Sequence, residues 1–186
     1  MDFKTIKDVK NLRGKKVLLR LDLNVPTVDG VLRDDFRIKK SMPTLNFLRK
    51  NGAKTIIISH IESVETKSLK AVYEYLSEFF NVAFFKDYFS EETRSAIGKM
   101  NEGNFILLEN LRIYEGEEKN SEHFARQLAS LGEIYVNEAF SVSHRNHASI
   151  VGVPKFLPSY AGILFEEEVA NLSSAFSPEH TFLFVL

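Results

Sequence analysis

Six short runs of β-branched and aromatic residues recur along the chain with helix-period segments between them. That alternation is the sequence form of βαβ units feeding a parallel sheet. Lys16 to Leu21, Thr55 to Ser59, Val82 to Phe85, Phe105 to Leu108, Ile134 to Asn137 and Phe182 to Leu186 are too short for buried helices and read as strands. Between them, Ile38 to Arg49, Leu69 to Phe80, Ser90 to Met100 and Ser121 to Leu131 repeat apolar residues at helical spacing, with Phe124, Leu128 and Leu131 on one face. Asn51-Gly52 is a stop signal leading straight into a strand, and Glu166 to Phe176 is a further helix whose leading glutamates complement its dipole. The expected fold is a three-layer α/β/α Rossmann-like domain around a mostly parallel six-stranded sheet. No repeat, low-complexity tract or Pro/Ser-rich linker divides residues 1–186, so one domain is expected. Leu186 closes the chain inside an apolar run without a polar tail, which points to a parent protein that continues beyond it.

Composition removes several classes of function. The chain has 24 Lys/Arg against 25 Asp/Glu, so no overall field would hold a nucleic acid or an anionic membrane, and neither partner is expected. It has no Cys, which excludes thiol nucleophiles, disulfides and Cys-bearing zinc sites. The charged start MDFKTIKDVKNLRGKK lacks the apolar segment of a secretory signal, so the cytoplasm is the expected location. The neutral total conceals an asymmetry: residues 1–60 carry 14 Lys/Arg and 6 Asp/Glu, the remainder 10 and 19. A basic third within one domain either lines a cleft for a small anion or makes a solvated, salt-bridged surface.

In open parallel sheets ligands bind beyond the carboxyl ends of the strands, so the residues after each strand carry the chemistry. Period-2 alternation aims Asp22 and Asn24 the same way, and Pro26 ends that ladder. The alternative for this pair is an Asx turn satisfying its own backbone. His60, Arg112 and Arg145 follow later strands, while Arg37 sits at a helix start, where a cation gains nothing from the dipole. Each alone reads as a surface salt bridge. Three or four guanidiniums converging on one crevice would instead define a site for a phosphorylated anion. His60, His144 and His147 do not read as metal ligands, because Arg145 lies within the H-x-x-H pair and no carboxylate stands at a recognised ligand spacing. No glycine-rich phosphate loop is present either.

The runs VLLRLDLNVP (17–26), DDFRI (34–38), NGAKTIIISH (51–60), LLENLR (107–112) with Gly116-Glu117-Glu118, IYVNEAF (134–140), HRNHAS (144–149) and LPSYAG (157–162) resemble, in order, the amino-terminal half of phosphoglycerate kinase. The resemblance implies a single amino-terminal substrate-binding domain of a two-domain glycolytic kinase. The carboxy-terminal nucleotide domain would be absent from this chain, and the full-length enzyme would be a monomer. It implies that Asp22 and Asn24 contact the hydroxyl and carboxylate region of 3-phosphoglycerate or 1,3-bisphosphoglycerate. His60, Arg112 and Arg145 would hold its phosphate, and Arg37 would be the catalytic residue that stabilises the transferring phosphoryl group. Mg-ATP or ADP would serve the full-length protein, and this domain alone would bind no cofactor and be inactive. The chain departs from the family where His60-Ile61-Glu62-Ser63-Val64 replaces His-Leu-Gly-Arg-Pro. Ser63 takes the place of a phosphate-binding Arg, Glu62 adds an acid, and Lys67 is the cation that could compensate. A further departure is Asn137-Glu138-Ala139-Phe140-Ser141, where the family has Asn-Asp-Ala-Phe-Gly. The alternative function is a non-catalytic anion-binding or interaction module with a decayed substrate site.

Overall fold

The computed structural model describes residues 3–62 and 67–174. Six strands, β1 (Lys16–Arg20), β4 (Lys54–Ile58), β5 (Val82–Phe85), β6 (Phe105–Leu108), β7 (Ile134–Asn137) and β8 (Ser159–Ala161), form one sheet in the order β5-β6-β4-β1-β7-β8. Every pairing is parallel, with Leu18 opposite both Ile56 and Tyr135. The two remaining strands, β2 (Thr27–Val28) and β3 (Val31–Leu32), make a separate antiparallel hairpin.

Strands buried on both faces need apolar residues at every position, which is why KVLLR does not alternate. Val17 and Leu19 point into one core, together with Leu45 and Leu48 of α1 (Phe36–Lys50) and Val72 and Leu76 of α2 (Lys70–Ser77). Leu18 points into the other, with Ile97 of α3 (Glu91–Lys99) and Phe124 and Leu128 of α5 (Glu122–Ala129). Truncating a fully buried leucine such as Leu18 to alanine costs about 2–5 kcal/mol. A short helix α4 (Glu115–Glu118) precedes α5, and α6 (Ile163–Ser174) packs beside α1.

The helical segments match expectation to within a few residues. α1 runs through Pro43, with Ile38, Leu45 and Leu48 buried along it, so packing outweighs the ~3 kcal/mol an interior proline costs. Gly52 supplies the stop with φ +69°, donating to the Arg49 carbonyl at 3.0 Å. The expected six-stranded parallel sheet is present, and all of its pairings are parallel. Two differences concern the strands. The sixth strand is β8, where no strand was expected, and the expected strand Phe182 to Leu186 lies outside the described residues. The β2–β3 hairpin was not anticipated, although Asp29 and Gly30, at φ 52° and 74°, form the Asp-Gly turn that such hairpins favour. α6 starts at Ile163, three residues ahead of the segment expected from Glu166.

The sheet edge at β8 is closed by the chain's own beginning, where Thr5 bridges Ala161 and Ala161 donates to the Lys4 carbonyl at 2.9 Å. Among the described residues no helix is long and apolar enough to cross a membrane.

Candidate functional site

From β1 the chain crosses to β4 on one side of the sheet, and from β7 to β8 on the other. The carboxyl ends of β1 and β7 therefore flank a topological switch point, where open sheets form their crevice. Four segments supply this crevice: residues 21–25 after β1, His60 after β4, the turn Leu111–Ile113 after β6, and the turns after β7.

Leu21, Leu23 and Val25 are buried while Asp22 and Asn24 are partly exposed, so the alternation expected from the sequence holds beyond the end of β1. Asp22 does two things at once. Its Oδ1 accepts the Asn24 backbone N–H at 3.1 Å, the Asx interaction, while Oδ2 pairs with the Arg37 guanidinium and accepts the Ser141 hydroxyl. Arg37 comes back to this carboxylate because the β2–β3 hairpin folds the intervening chain on itself and delivers the first turn of α1. Beside this pair, a cleft of about 340 Å³ opens between α1 and α6, bordered by Phe36, Lys40, Phe140, Leu164 and Glu168.

His60 is buried, at 2% exposure. Burial, followed by the charges of Arg20, Arg112, Arg145 and Arg37, holds its pKa down to about 2. The imidazole is thus neutral. Arg20 donates to Nδ1 at 3.1 Å, which puts the ring proton on Nε2 as a donor. Arg20 also donates from Nε to Ser149 Oγ at 3.0 Å and from Nη1 to the Leu21 carbonyl. Ser149 passes the contact to Glu117 through its N–H (2.8 Å) and hydroxyl (2.5 Å). Burial pushes the Glu117 carboxyl above its usual range, against the pull of Arg20 and Ser149. Arg20 was not among the candidates from sequence; a charge inside the apolar run KVLLRL was the available signal.

Arg112 differs from Arg20. Its side chain is 8% exposed, it touches Glu62, and its Nε lies 3.4 Å from Glu118. None of its three guanidinium nitrogens makes a hydrogen bond of good geometry. Burial lowers its pKa from the ordinary guanidinium value, opposed chiefly by Glu118. Arg112, Glu62, Lys67 and Asn110 line a second cleft of about 620 Å³. Arg145 is exposed on the turn after β7, its N–H bonded to the Val142 carbonyl at 3.0 Å. His144 is exposed, and His147, whose pKa burial lowers, lies 3.9 Å from Glu117.

The fold thus brings Asp22, Asn24, Arg37, His60, Arg112 and Arg145 to one end of the sheet. Ser63 lies outside the described residues. Asn24 faces this end with its Oδ1 already accepting the Glu62 N–H at 2.8 Å. Buried Glu138 serves the scaffold: it accepts Thr44 of α1 and the Leu164 N–H (3.0 Å) at the start of α6. A Cβ on Gly162 would overlap the Glu138 carboxylate, so that corner requires glycine.

Fold and crevice together define a doubly wound α/β domain whose polar mouth is rich in guanidinium groups. The family model described as phosphoglycerate kinase matches residues 6–186, and the chain belongs to the phosphoglycerate kinase family. It is 49% identical over 173 residues to the phosphoglycerate kinase of Wolbachia sp. subsp. Drosophila simulans (strain wRi), covering 90% of this chain and 44% of that protein. It is 45% identical over 181 residues to that of Coprothermobacter proteolyticus, covering 93% and 46%. The solved phosphoglycerate kinase of Pyrococcus horikoshii OT3 superposes with a TM-score of 0.86 at 30% identity, over 96% of this chain and 47% of the other. That of Coxiella burnetii gives 0.83 at 33%, over 94% and 45%. The chain spans less than half the length of the curated relatives it matches here.

Proposed function

We propose that this chain is the amino-terminal, 3-phosphoglycerate-binding half of a glycolytic phosphoglycerate kinase. The whole enzyme moves a phosphoryl group between 1,3-bisphosphoglycerate with ADP and 3-phosphoglycerate with ATP. The observation that carries this reading is that Arg20, Arg37, Arg112 and Arg145, drawn from four separate segments, all bear on one buried neutral imidazole. A doubly or triply charged phosphorylated acid is the ligand that such a mouth suits, because guanidinium forks bind phosphate bidentately.

In this reading His60 Nε2, Arg112 and Arg145 hold the phosphate, and Ser63 stands in the sequence where the family has a further phosphate-binding Arg. Asp22 and Asn24 orient the hydroxyl and carboxylate end. Arg37 leaves Asp22 to neutralise charge on the phosphoryl group in flight, the step in which positioning and charge stabilisation do most of the work. Asp22 is already paired with Arg37 and Ser141, so the crevice fits an anion and not a Mg²⁺ ion. Nucleotide and Mg²⁺ therefore belong to the half of the family that this chain does not span.

Isothermal titration with 3-phosphoglycerate tests the proposal. Heat is expected at submillimolar to millimolar ligand, with Arg145→Ala weakening binding by about tenfold. No heat at millimolar ligand would refute it. One observation favours a second reading, a non-catalytic anion-binding module: Glu62 lies against Arg112. Turnover by the chain joined to its downstream half separates the two. In the kinase reading Arg37→Ala lowers kcat more than it raises KM.

A further inference from the structure

We propose that Glu62 is a tethered counter-anion on Arg112, so that a phosphorylated ligand must displace a carboxylate of the chain itself in order to bind. The inference rests on the crevice being a phosphorylated-acid site, and it adds the residue that sets affinity there.

The Arg112 guanidinium is nearly enclosed and makes no well-formed hydrogen bond among the described residues, yet the Glu62 carboxylate lies against its Nη1. Carboxylate and phosphate compete for the same guanidinium fork. The encounter is built into the backbone on both sides. The Glu62 N–H donates to Asn24 Oδ1 at 2.8 Å, and the preceding Ile61 is held at its N–H (3.2 Å) and its carbonyl (3.0 Å) by the Asn110 side chain. The same Asn110 Oδ1 accepts the Arg112 N–H at 3.1 Å, so one amide sets the positions of both partners. The Glu62 side chain is 51% exposed and can swing into water, and Lys67 lines the same cleft. An occupant fixed at its backbone and free at its tip competes with ligand without blocking entry. Glu118, the other acid at Arg112, approaches only Nε, at 3.4 Å.

Backbone-amide NMR titrations of the 186-residue chain with inorganic phosphate and, separately, with 3-phosphoglycerate test the proposal. Glu62→Gln is expected to bind each about tenfold more tightly than wild type, and Glu118→Gln to change affinity by less than about threefold. Glu62→Ala serves as a second variant, with thermal unfolding to verify that each is folded. Unchanged or weaker phosphate binding in both Glu62 variants overturns the inference. So does an equal gain in Glu118→Gln, which would mark a general charge effect. Tighter phosphate binding without 3-phosphoglycerate binding in any protein would sustain the tethered anion and refute the kinase reading. Binding of 3-phosphoglycerate to wild type without gain in the variants would do the reverse.

Discussion

Arg20 and Arg112 both bear on the His60 imidazole and both are withdrawn from water, but they differ in what surrounds them. Arg20 has Ser149, the Leu21 carbonyl and His60 as hydrogen-bond partners, with Glu117 one hydroxyl further on. The Arg112 guanidinium has two partly exposed carboxylates nearby and no hydrogen bond of good geometry. A buried charge is stable only when its donors are satisfied. The satisfied guanidinium is therefore part of the frame, and the unsatisfied one is the place where an incoming anion gains most. Evenly placed cations would only raise the local potential; this division gives one that holds the imidazole and one whose guanidinium is left without hydrogen-bond partners.

The contrast is best broken by removing each guanidinium in turn. Arg20→Met should lower the unfolding free energy by about 3–5 kcal/mol in urea titrations, because Glu117 is left buried and uncompensated. A loss below about 1 kcal/mol would put Arg20 outside the frame. Arg112→Met should leave stability within about 1 kcal/mol of wild type, while its affinity for 3-phosphoglycerate falls ten- to about a hundredfold by calorimetry. Loss of stability without loss of affinity would reverse the roles assigned to the pair.

A smaller effect, with a defined pH window, sharpens the account of the imidazole between them. His60 is depressed from 6.5 to about 2 in the fold, so the unfolded chain takes up the proton first. Its contribution is complete above pH 6.5 and is lost progressively as pH falls toward about 2. Wild type should therefore lose up to about 2 kcal/mol between pH 6.5 and 5 that His60→Gln does not lose. Parallel acid limbs for the two proteins would show that His60 is not held neutral.

How much of this was legible in the sequence depends on the range of the interaction. Five of the six sheet strands, β1 and β4 to β7, and the helices follow from period and from punctuation such as Asn51-Gly52, because both faces of a parallel sheet must be apolar. β8 was missed because Ser159-Tyr160-Ala161 is three residues long with one strand former, Tyr160, and is a strand by virtue of pairing with β7 and the Lys4–Thr5 segment. The hairpin was legible in Asp29-Gly30, but its strands of two residues each carry no periodic signal. In the crevice, Asp22 and Asn24 were readable from alternation, and the guanidiniums from their positions after strands. The partners were not: Arg37 meets Asp22, and Arg20 meets Ser149, only after long stretches of chain have folded back.

Local chemistry along the chain was thus enough to determine a layered α/β domain and the polar character of its strand ends, since period, turn residues and charge act over a few positions. Which guanidinium is tied down and which is left without hydrogen-bond partners was decided in three dimensions. Desolvation depends on what packs around a side chain, and for Arg20 and Arg112 those neighbours come from distant segments of sequence.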